Sequence, residues 1–368
     1  MPKDQQVYLA DRQALELLKN YQSEVNFLLS EYFQQEVEIA KQKDLVAVEA
    51  IKSIQKFILA GGKRLRPALL YYAYLSAGGK KIQAVKKASL SIELIHAFLL
   101  IHDDIMDNDD KRHGIETIHK YYERLAKKYF KNKDNKHYGQ SIAIVVGDLC
   151  YTMGNKVLFN ASFKPEIILK ALNRLQDTVY DVIPGQIRDV RLGFQGKATE
   201  KEILKVQEAK TAYYTFNAPV ELGYILAGNN NKNDLKYFKD YSLALGKAFQ
   251  IRDDILGIFG DEKKLGKPVG GDIIEGKQTL LVNYVLKHGS GEDKRIIKSL
   301  LGKETISKQE LKEFRRSIID SGALEYSKNK SQRMVKKALS ALDKINFKNK
   351  KAEIFFRGIA EYIVQREK

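Results

Sequence analysis

The chain has 368 residues, with 63 Lys and Arg against 46 Asp and Glu, giving a formal net charge of +17 at pH 7. That length suits one large domain or two average ones and is enough to bury a substantial core. A lone cysteine, Cys150, excludes an intramolecular disulfide and a cysteine-built zinc site, and suits a reducing compartment. The charge points to anionic partners: nucleic acid, an acidic membrane surface or phosphorylated small molecules. Lysines are spread along the whole chain, as in "KKYFKNKDNK" and "KNKSQRMVKK", rather than gathered with aromatics into a nucleic-acid module, so each run reads first as solvated surface.

The start, "MPKDQQVYLADRQ", carries no apolar signal region. The longest weakly polar runs, residues 90–101 and 141–146, are too short to cross a bilayer, so a soluble cytoplasmic protein is expected. Apolar residues at three- and four-residue spacing predict helices over residues 13–40, 45–60, 64–77, 82–107, 115–131, 139–159, 165–184, 199–227, 233–257, 277–287, 308–320 and 323–343. Only six prolines interrupt the chain, at positions 2, 67, 165, 184, 219 and 268. Alternating strand patterns and Asn-Gly or Asp-Gly turns are absent, which predicts an all-α chain without hairpins. Breaks fall at "AGGK" twice, "GFQGKATEKE", "AGNNNKND", "GIFGDEKKLGKPVGGD" and "HGSGEDK"; none resembles an interdomain linker and no repeat stands out, so residues 1–368 are expected to form a single domain. The stretch from 257 to 272, rich in Gly, Lys and Asp between apolar helices, has the character of a binding loop.

The chemistry concentrates in carboxylates. "IHDDIMDNDD" places five aspartates within residues 103–110, directly after the apolar run "ELIHAFLL". Asp103 and Asp107, four apart, share a helix face with Cβ atoms about 5–6 Å apart, with Asp104 beside them; like charges so placed call for a cation. Oxygen ligands without His or Cys suit Mg²⁺, which keeps waters and shares phosphates with its substrate. The plainer reading is a polar helix end with Asp109 and Asp110 paired to Lys111 and Arg112. "FQIRDDILGIFGDE" repeats the plan with Asp253, Asp254 and Asp261, and two such helices could grip metal ions from both sides of one phosphorylated ligand. Cationic islands at Lys63, Arg64 and Arg66, at Lys210, and at Lys267 and Lys277 could hold the remaining phosphate charge. "GDIIEGKQ" meets P-loop spacing until Gln278, where Ser or Thr is needed, and no strand precedes it.

In order and spacing, "GGKRLRP", "ELIHAF" before "DDIMD", "GQIRD", "KTAYYTF" and "FQIRDDILGIFGDEKKLGKPVGGD" resemble the motifs of the trans-isoprenyl diphosphate synthases, nearest the geranylgeranyl diphosphate synthase subgroup. The resemblance runs from about Gly61 to Lys277. It implies the isoprenoid synthase fold, a helical barrel around a deep cavity, usually in a homodimer. It also implies head-to-tail joining of isopentenyl diphosphate to dimethylallyl, geranyl or farnesyl diphosphate. By that resemblance Asp103, Asp107 and Asp253 bind Mg²⁺, three ions per site with Mn²⁺ an acceptable substitute, and Asp104 and Asp254 support them. Arg112, Lys210 and Lys267 would hold the allylic diphosphate, and Lys63, Arg66 and His96 the isopentenyl diphosphate. Gln186, Asp189, Thr211, Tyr214, Gln250 and Lys277 would line the site, with oxygens of Thr211 and Gln250 steadying the allylic cation.

Two positions depart from the family pattern. His113 stands where a second arginine is usual; at its ordinary pKa it is largely neutral and lacks the guanidinium fork. His113→Arg is therefore expected to lower the KM for isopentenyl diphosphate. Gly257 stands where many relatives carry a third aspartate, for which Asp261 is expected to compensate. In the family the residue five before the first aspartate limits product length; here it is Phe98, a single aromatic followed by Leu99, which resembles the geranylgeranyl pattern. Helical geometry at 100° per residue places Leu99 and Ile95 nearer the Asp103 face than Phe98. The alternatives are a farnesyl or mixed product, a class I terpene cyclase, whose second motif is missing its Ser and Glu here, an inactive regulatory subunit, and nucleic-acid binding.

Overall fold

The computed structural model describes residues 3–131, 134–261 and 269–365. Helices dominate, as the apolar spacing predicts. In chain order they are α1 (Lys3–Lys41), α2 (Leu45–Leu59), α3 (Leu65–Ser76), α4 (Ile82–Ala88), α5 (Leu90–Met106), α6 (Ile118–Tyr129), α7 (Asn135–Phe159) and α8 (Pro165–Gln195). Then follow α9 (Glu200–Gln207), a π-helical stretch π1 (Glu208–Asn217), α10 (Ala218–Leu226), α11 (Lys232–Phe259), α12 (Gly271–Ile274), α13 (Leu280–His288), α14 (Gly291–Leu300), α15 (Lys308–Asp320), α16 (Ala323–Leu342) and α17 (Lys350–Gln365). Contacts gather into two compact units, one of Met1–Leu15, Arg174–Leu222 and Asn229–Lys368, the other of Glu16–Asn173 and Gly223–Gly228.

In the second unit α5 and α6 pack on α7. The approach is close because α7 offers glycines at the crossings: a Cβ at Gly147 would meet the His102 ring at 2.3 Å, one at Gly154 the Ile95 side chain at 3.0 Å, and one at Gly139 the His119 carbonyl at 2.3 Å. In the first unit α11 packs on α16 and π1. Ile251, Ile255 and Ile258 of α11 join Leu280, Leu281 and Val285 of α13, Ile297, Phe314 and Ile318 in one buried cluster. Burying such side chains contributes about 1.5–3 kcal/mol each, which holds the acid-bearing turns of α11 on a rigid base.

Several boundaries differ from expectation. Strands β1 (Lys111–Arg112) and β2 (Ile115–Glu116) pair antiparallel, where the sequence predicts no hairpin and a helix from residue 115. His113 and Gly114 link them at φ 51° and 80°, the two positive values of a primed two-residue turn. Histidine is among the non-glycine residues that tolerate this region, so His-Gly serves where Asn-Gly would be the familiar signal. The helix predicted over 82–107 divides at Ser89, whose hydroxyl donates to the Lys86 carbonyl and so competes with the helical ladder. Pro184 lies inside α8 rather than ending it, because its φ is helical and it removes one donor from a helix of 31 residues.

Three helices escaped the periodicity reading, the single turn α12 and two longer ones. The "HGSGEDK" break is the start of α14, closed by a reciprocal capping box between Ser290 and Asp293. The chain end forms α17, which buries Ala352, Phe355, Phe356, Ile359, Ala360 and Ile363. Among the described residues α7 is long and apolar enough to cross a membrane, contrary to the reading of its segments as too short. Its glycine face is packed on α5 and α6, while Ile144, Val145 and Phe159 are exposed.

Candidate active site

The first acid cluster closes α5. Asp103 and Asp107 are half-buried, and the Asp107 N–H donates to the Asp103 carbonyl at 2.9 Å, so both belong to the last turn. Carboxylates there face the negative end of the helix dipole, and no basic residue of α5 relieves them. Asp104 is fully buried and meets the Arg112 guanidinium, whose Nε donates to Oδ1 at 2.6 Å. Arg112 also reaches Asp109 at 3.4 Å, while Asp110 pairs with Lys120 at 3.1 Å. Burial pushes the Asp104 carboxyl up to about 6 against the opposing pull of Arg112. Its Oδ2 has no hydrogen-bond partner among the described residues.

A cationic group lies in the same unit. Gly61 and Gly62 precede Lys63, which is exposed, and Arg66, which is half-buried. Arg64 is turned inward instead: it donates to Glu93 at 2.6 Å, to Asn26 at 2.8 Å and to the Ile58 carbonyl at 2.5 Å, at a φ of 52°. It is therefore a structural pin under the turn, and the three cations that look alike in "GGKRLRP" divide into one buried and two available to solvent. A Cβ at Gly61 would meet the His113 ring at 2.8 Å, so the hairpin turn is seated on the glycine turn. Burial, then Arg66, Arg112, Arg64 and His113, hold His96 well below its ordinary pKa. Burial, Arg112 and Arg64 lower His113 likewise, keeping it neutral at pH 7. A neutral imidazole among guanidiniums is a hydrogen-bonding partner for an anion without a further buried charge.

The second cluster belongs to the first unit and is denser than its motif suggests. Asp254 is 3% exposed and is held on both oxygens. Gln250 Nε2 and Lys277 Nζ approach Oδ1 at 3.0 and 3.4 Å, and Gln207 Nε2 donates to Oδ2 at 3.3 Å. Burial still keeps this carboxyl above its ordinary pKa, against Lys277. Thr211 donates its hydroxyl to Gln250 Oε1 at 2.8 Å, which joins π1 to α11. Lys210 pairs with Asp189 of α8 at 3.0 Å. Asp253 is half-buried beside Asp254.

The π register explains how α9 and π1 can serve this cluster. Short π segments insert one extra residue per turn and re-aim side chains, and they recur at functional sites. Here the stretch "EAKTAYYTFN" carries Lys210 and Thr211 to Asp189 and Gln250, with Tyr214 buried. Gly246 lets α11 approach, since a Cβ there would meet Ala212 Cα at 2.3 Å, and Gly185 does the same for α8 against Ala209. The sequence reads residues 199–227 as one helix, because period 4.4 and period 3.6 are not separable over ten residues.

The structure thus joins Lys210 with Asp189, and Thr211, Gln250, Asp254 and Lys277 with one another; Gln186 is half-buried on α8. Lys267 lies outside the described residues. Of the chain-length candidates, Ile95 is fully buried against α7, whereas Phe98 and Leu99 are half-buried, and the Phe98 ring lies 4.9 Å from His102 and 5.2 Å from Tyr151. Asp261 is exposed and lines a surface groove with Arg252, Phe259, Leu324 and Lys328. Gln207 and Asp272 were missed: Gln207 falls in no familiar motif, Asp272 closes the second motif but was given no role there, and only the fold brings them to Asp254 and Lys277.

Among the described residues no three Asp, Glu, His or Cys side chains converge to enclose a metal by themselves. Mg²⁺ is commonly bound by one or two carboxylates, with waters and substrate phosphates completing its shell. The oxygen-only donors Asp103 and Asp107 at a helix C-terminus, beside the unpartnered Asp104 Oδ2, fit such an ion.

Residues 48–318 match the polyprenyl synthetase family profile. Geranylgeranyl diphosphate synthase of Sulfolobus acidocaldarius is 35% identical over 311 residues, covering 84% of this chain and 88% of that protein. Geranylfarnesyl diphosphate synthase of Aeropyrum pernix is 32% identical, covering 84% and 92%. Among solved structures, geranylgeranyl pyrophosphate synthase of Corynebacterium glutamicum, complexed with isoprenyl diphosphate and magnesium, superposes with a TM-score of 0.88 at 30% identity, covering 95% of this chain and 99% of that one. These likenesses extend well beyond the motifs to almost the whole chain, with the same all-α isoprenoid synthase fold, and the chain belongs to the polyprenyl synthetase family.

Proposed function

We propose that the protein is a Mg²⁺-dependent trans-prenyltransferase that condenses isopentenyl diphosphate with dimethylallyl, geranyl or farnesyl diphosphate, forming geranylgeranyl diphosphate. The single observation that carries this reading is the retention of both acid pairs in a member of this family: Asp103 and Asp107 closing α5, and Asp253 and Asp254 on α11. Magnesium, held by Asp103, Asp107 and Asp253, would neutralise the departing diphosphate. Lys210 and Arg112 would hold the allylic diphosphate, with Lys267 assigned the same role from its motif. Lys63, Arg66, His96 and the neutral His113 would hold isopentenyl diphosphate.

The allylic C–O bond breaks and diphosphate leaves with the electron pair. The double bond of isopentenyl diphosphate then attacks the allylic carbon, and loss of one proton, to the released diphosphate, regenerates a double bond. The Thr211 hydroxyl is fixed by its donation to Gln250 at 2.8 Å, so its lone pairs can face a developing cation without rotating away. Relatives named for geranylgeranyl and geranylfarnesyl products both resemble the chain, so the twenty-carbon product is inferred from the single aromatic at Phe98. A homodimer in the cytoplasm completes the reading.

The test is direct. Purified protein is given Mg²⁺, isopentenyl diphosphate and each allylic diphosphate in turn, and the dephosphorylated alcohols are sized by chromatography. Geranylgeraniol should dominate, EDTA should abolish turnover, and Asp103→Ala and Asp253→Ala should each lower kcat by about 10²–10³-fold, as loss of a transition-state charge partner does. Turnover that survives EDTA or either substitution would overturn the proposal.

A further inference from the structure

Position 257 has an occupant. A Cβ built on Gly257 would lie 2.7 Å from Asp272 Oδ2 and 3.3 Å from its Cγ, so the Asp272 carboxyl fills the space a side chain at 257 would take. The turn bearing it is fastened to the same residue, because the Gly270 N–H donates to the Gly257 carbonyl at 2.9 Å. From there Asp272 Oδ1 meets Lys277 Nζ at 3.3 Å, and the same ammonium lies 3.4 Å from Asp254 Oδ1. The Lys277 backbone N–H also donates to the Asp272 carbonyl at 2.9 Å. Asp272 is only 12% exposed in its side chain, so a largely covered carboxylate and a lysine are placed together by backbone and side chain at once.

We propose that Asp272 is a positioning residue that takes over from the third aspartate missing at 257: lodged over Gly257, it fixes the Lys277 ammonium against Asp254, in the geometry that receives substrate diphosphate. The inference rests on the function proposed above and deepens it. A lysine on its four-carbon stem samples many rotamers, and two carboxylates gripping one ammonium select among them. Burial alone would lower the Lys277 pKa, but Asp272 and Asp254 outweigh it and hold the amine charged. Glycine at 257 is what admits Asp272, so the acid reaches the site from the α12 turn instead of from α11. Asp261, the sequence-based candidate for this compensation, is exposed on the groove described above.

The test is a reciprocal exchange. Asp272→Asn, nearly isosteric, should raise the KM for the allylic diphosphate about tenfold, the loss expected for one charge-assisted contact, with a smaller change in the KM for isopentenyl diphosphate. It should also shrink the rise in Tm that Mg²⁺ with inorganic pyrophosphate gives the parent, a readout that needs no turnover, while Tm without ligand stays close to that of the parent. Gly257→Ala should shift both quantities in the same direction by crowding Asp272. The double variant Gly257→Asp with Asp272→Ala should recover a substantial part of what Asp272→Ala alone loses, because the acid is restored from α11. The proposal is overturned if Asp272→Asn matches the parent in both readouts, or if the double variant is no better than Asp272→Ala. A parent that neither turns over nor gains stability from Mg²⁺ and pyrophosphate would instead overturn the proposed function, so the two failures are distinct.

Discussion

His119 shows what a single residue contributes away from the chemistry. It is buried on α6, its Nδ1 lies 3.2 Å from the Thr117 hydroxyl, and its Nε2 has no hydrogen-bond partner among the described residues. Burial and the neighbouring Lys120 lower its pKa to about 4. Between pH 6.5 and 4 the unfolded chain therefore binds a proton that the folded chain refuses, and stability falls as pH falls through that window. At pH 5 the loss should be about 1–2 kcal/mol relative to pH 7, seen as a lower urea midpoint. His119→Gln should flatten that part of the pH dependence; a parent and variant with parallel profiles from pH 7 to 5 would show that His119 is not the sensor. His113 is instructive in the same way. The sequence marks it as a departure from a pair of arginines, and the structure gives it a second reason, a left-handed turn position packed on Gly61. Replacing it by arginine adds charge but also strain, so any gain in KM should come with a lower Tm.

At the scale of elements, the acid-bearing helices were legible because their apolar period is strong and their ends carry aspartates. The π stretch, the hairpin and Gln207 were not, because they depend on contacts between segments distant in sequence. Gly246 tests the π stretch: Gly246→Ala places a methyl 2.3 Å from Ala212 Cα, which is backbone and cannot turn aside. Overpacking of this kind costs about 1–3 kcal/mol. Since Ala212 follows Lys210 and Thr211, the variant should lose activity at temperatures where it is still folded, measured by circular dichroism beside the product assay. Helix α5 offers the companion test. Its Ile95 and His102 meet glycines of α7 and Phe98 meets Tyr151, while Leu99, Asp103 and Asp107 continue the i,i+4 row that starts at Ile95. Phe98 is only half-buried between His102 and Tyr151, so Phe98→Ala should open space and lengthen the product by one or more isoprene units. Lengthening in Leu99→Ala but not in Phe98→Ala would move the limit to the acid-bearing face.

For the whole molecule, the composition pointed to an anionic partner without naming one, and the acid motifs decided between the classes. A chain with 63 basic and 46 acidic side chains carries an excess of positive charge, of the kind that raises the local concentration of multiply charged anions such as the diphosphates proposed as substrates. Many of the lysines lie far from either motif in sequence, and salt should screen the attraction of such exposed charges beyond a Debye length of about 8–10 Å. Raising KCl from about 0.05 to 0.5 M at constant Mg²⁺ should then lower kcat/KM for the allylic diphosphate roughly three- to tenfold through KM, with kcat nearly unchanged, since the contacts around Asp254 are buried and little screened. A kcat that falls in step with kcat/KM would show that salt reaches the buried network. A flat kcat/KM would show that the excess charge is only a solubilising surface. The same excess charge would attract DNA at low salt, but retention by charge alone should vanish near physiological ionic strength, whereas a diphosphate held by the lysines and arginines proposed above should still saturate the enzyme.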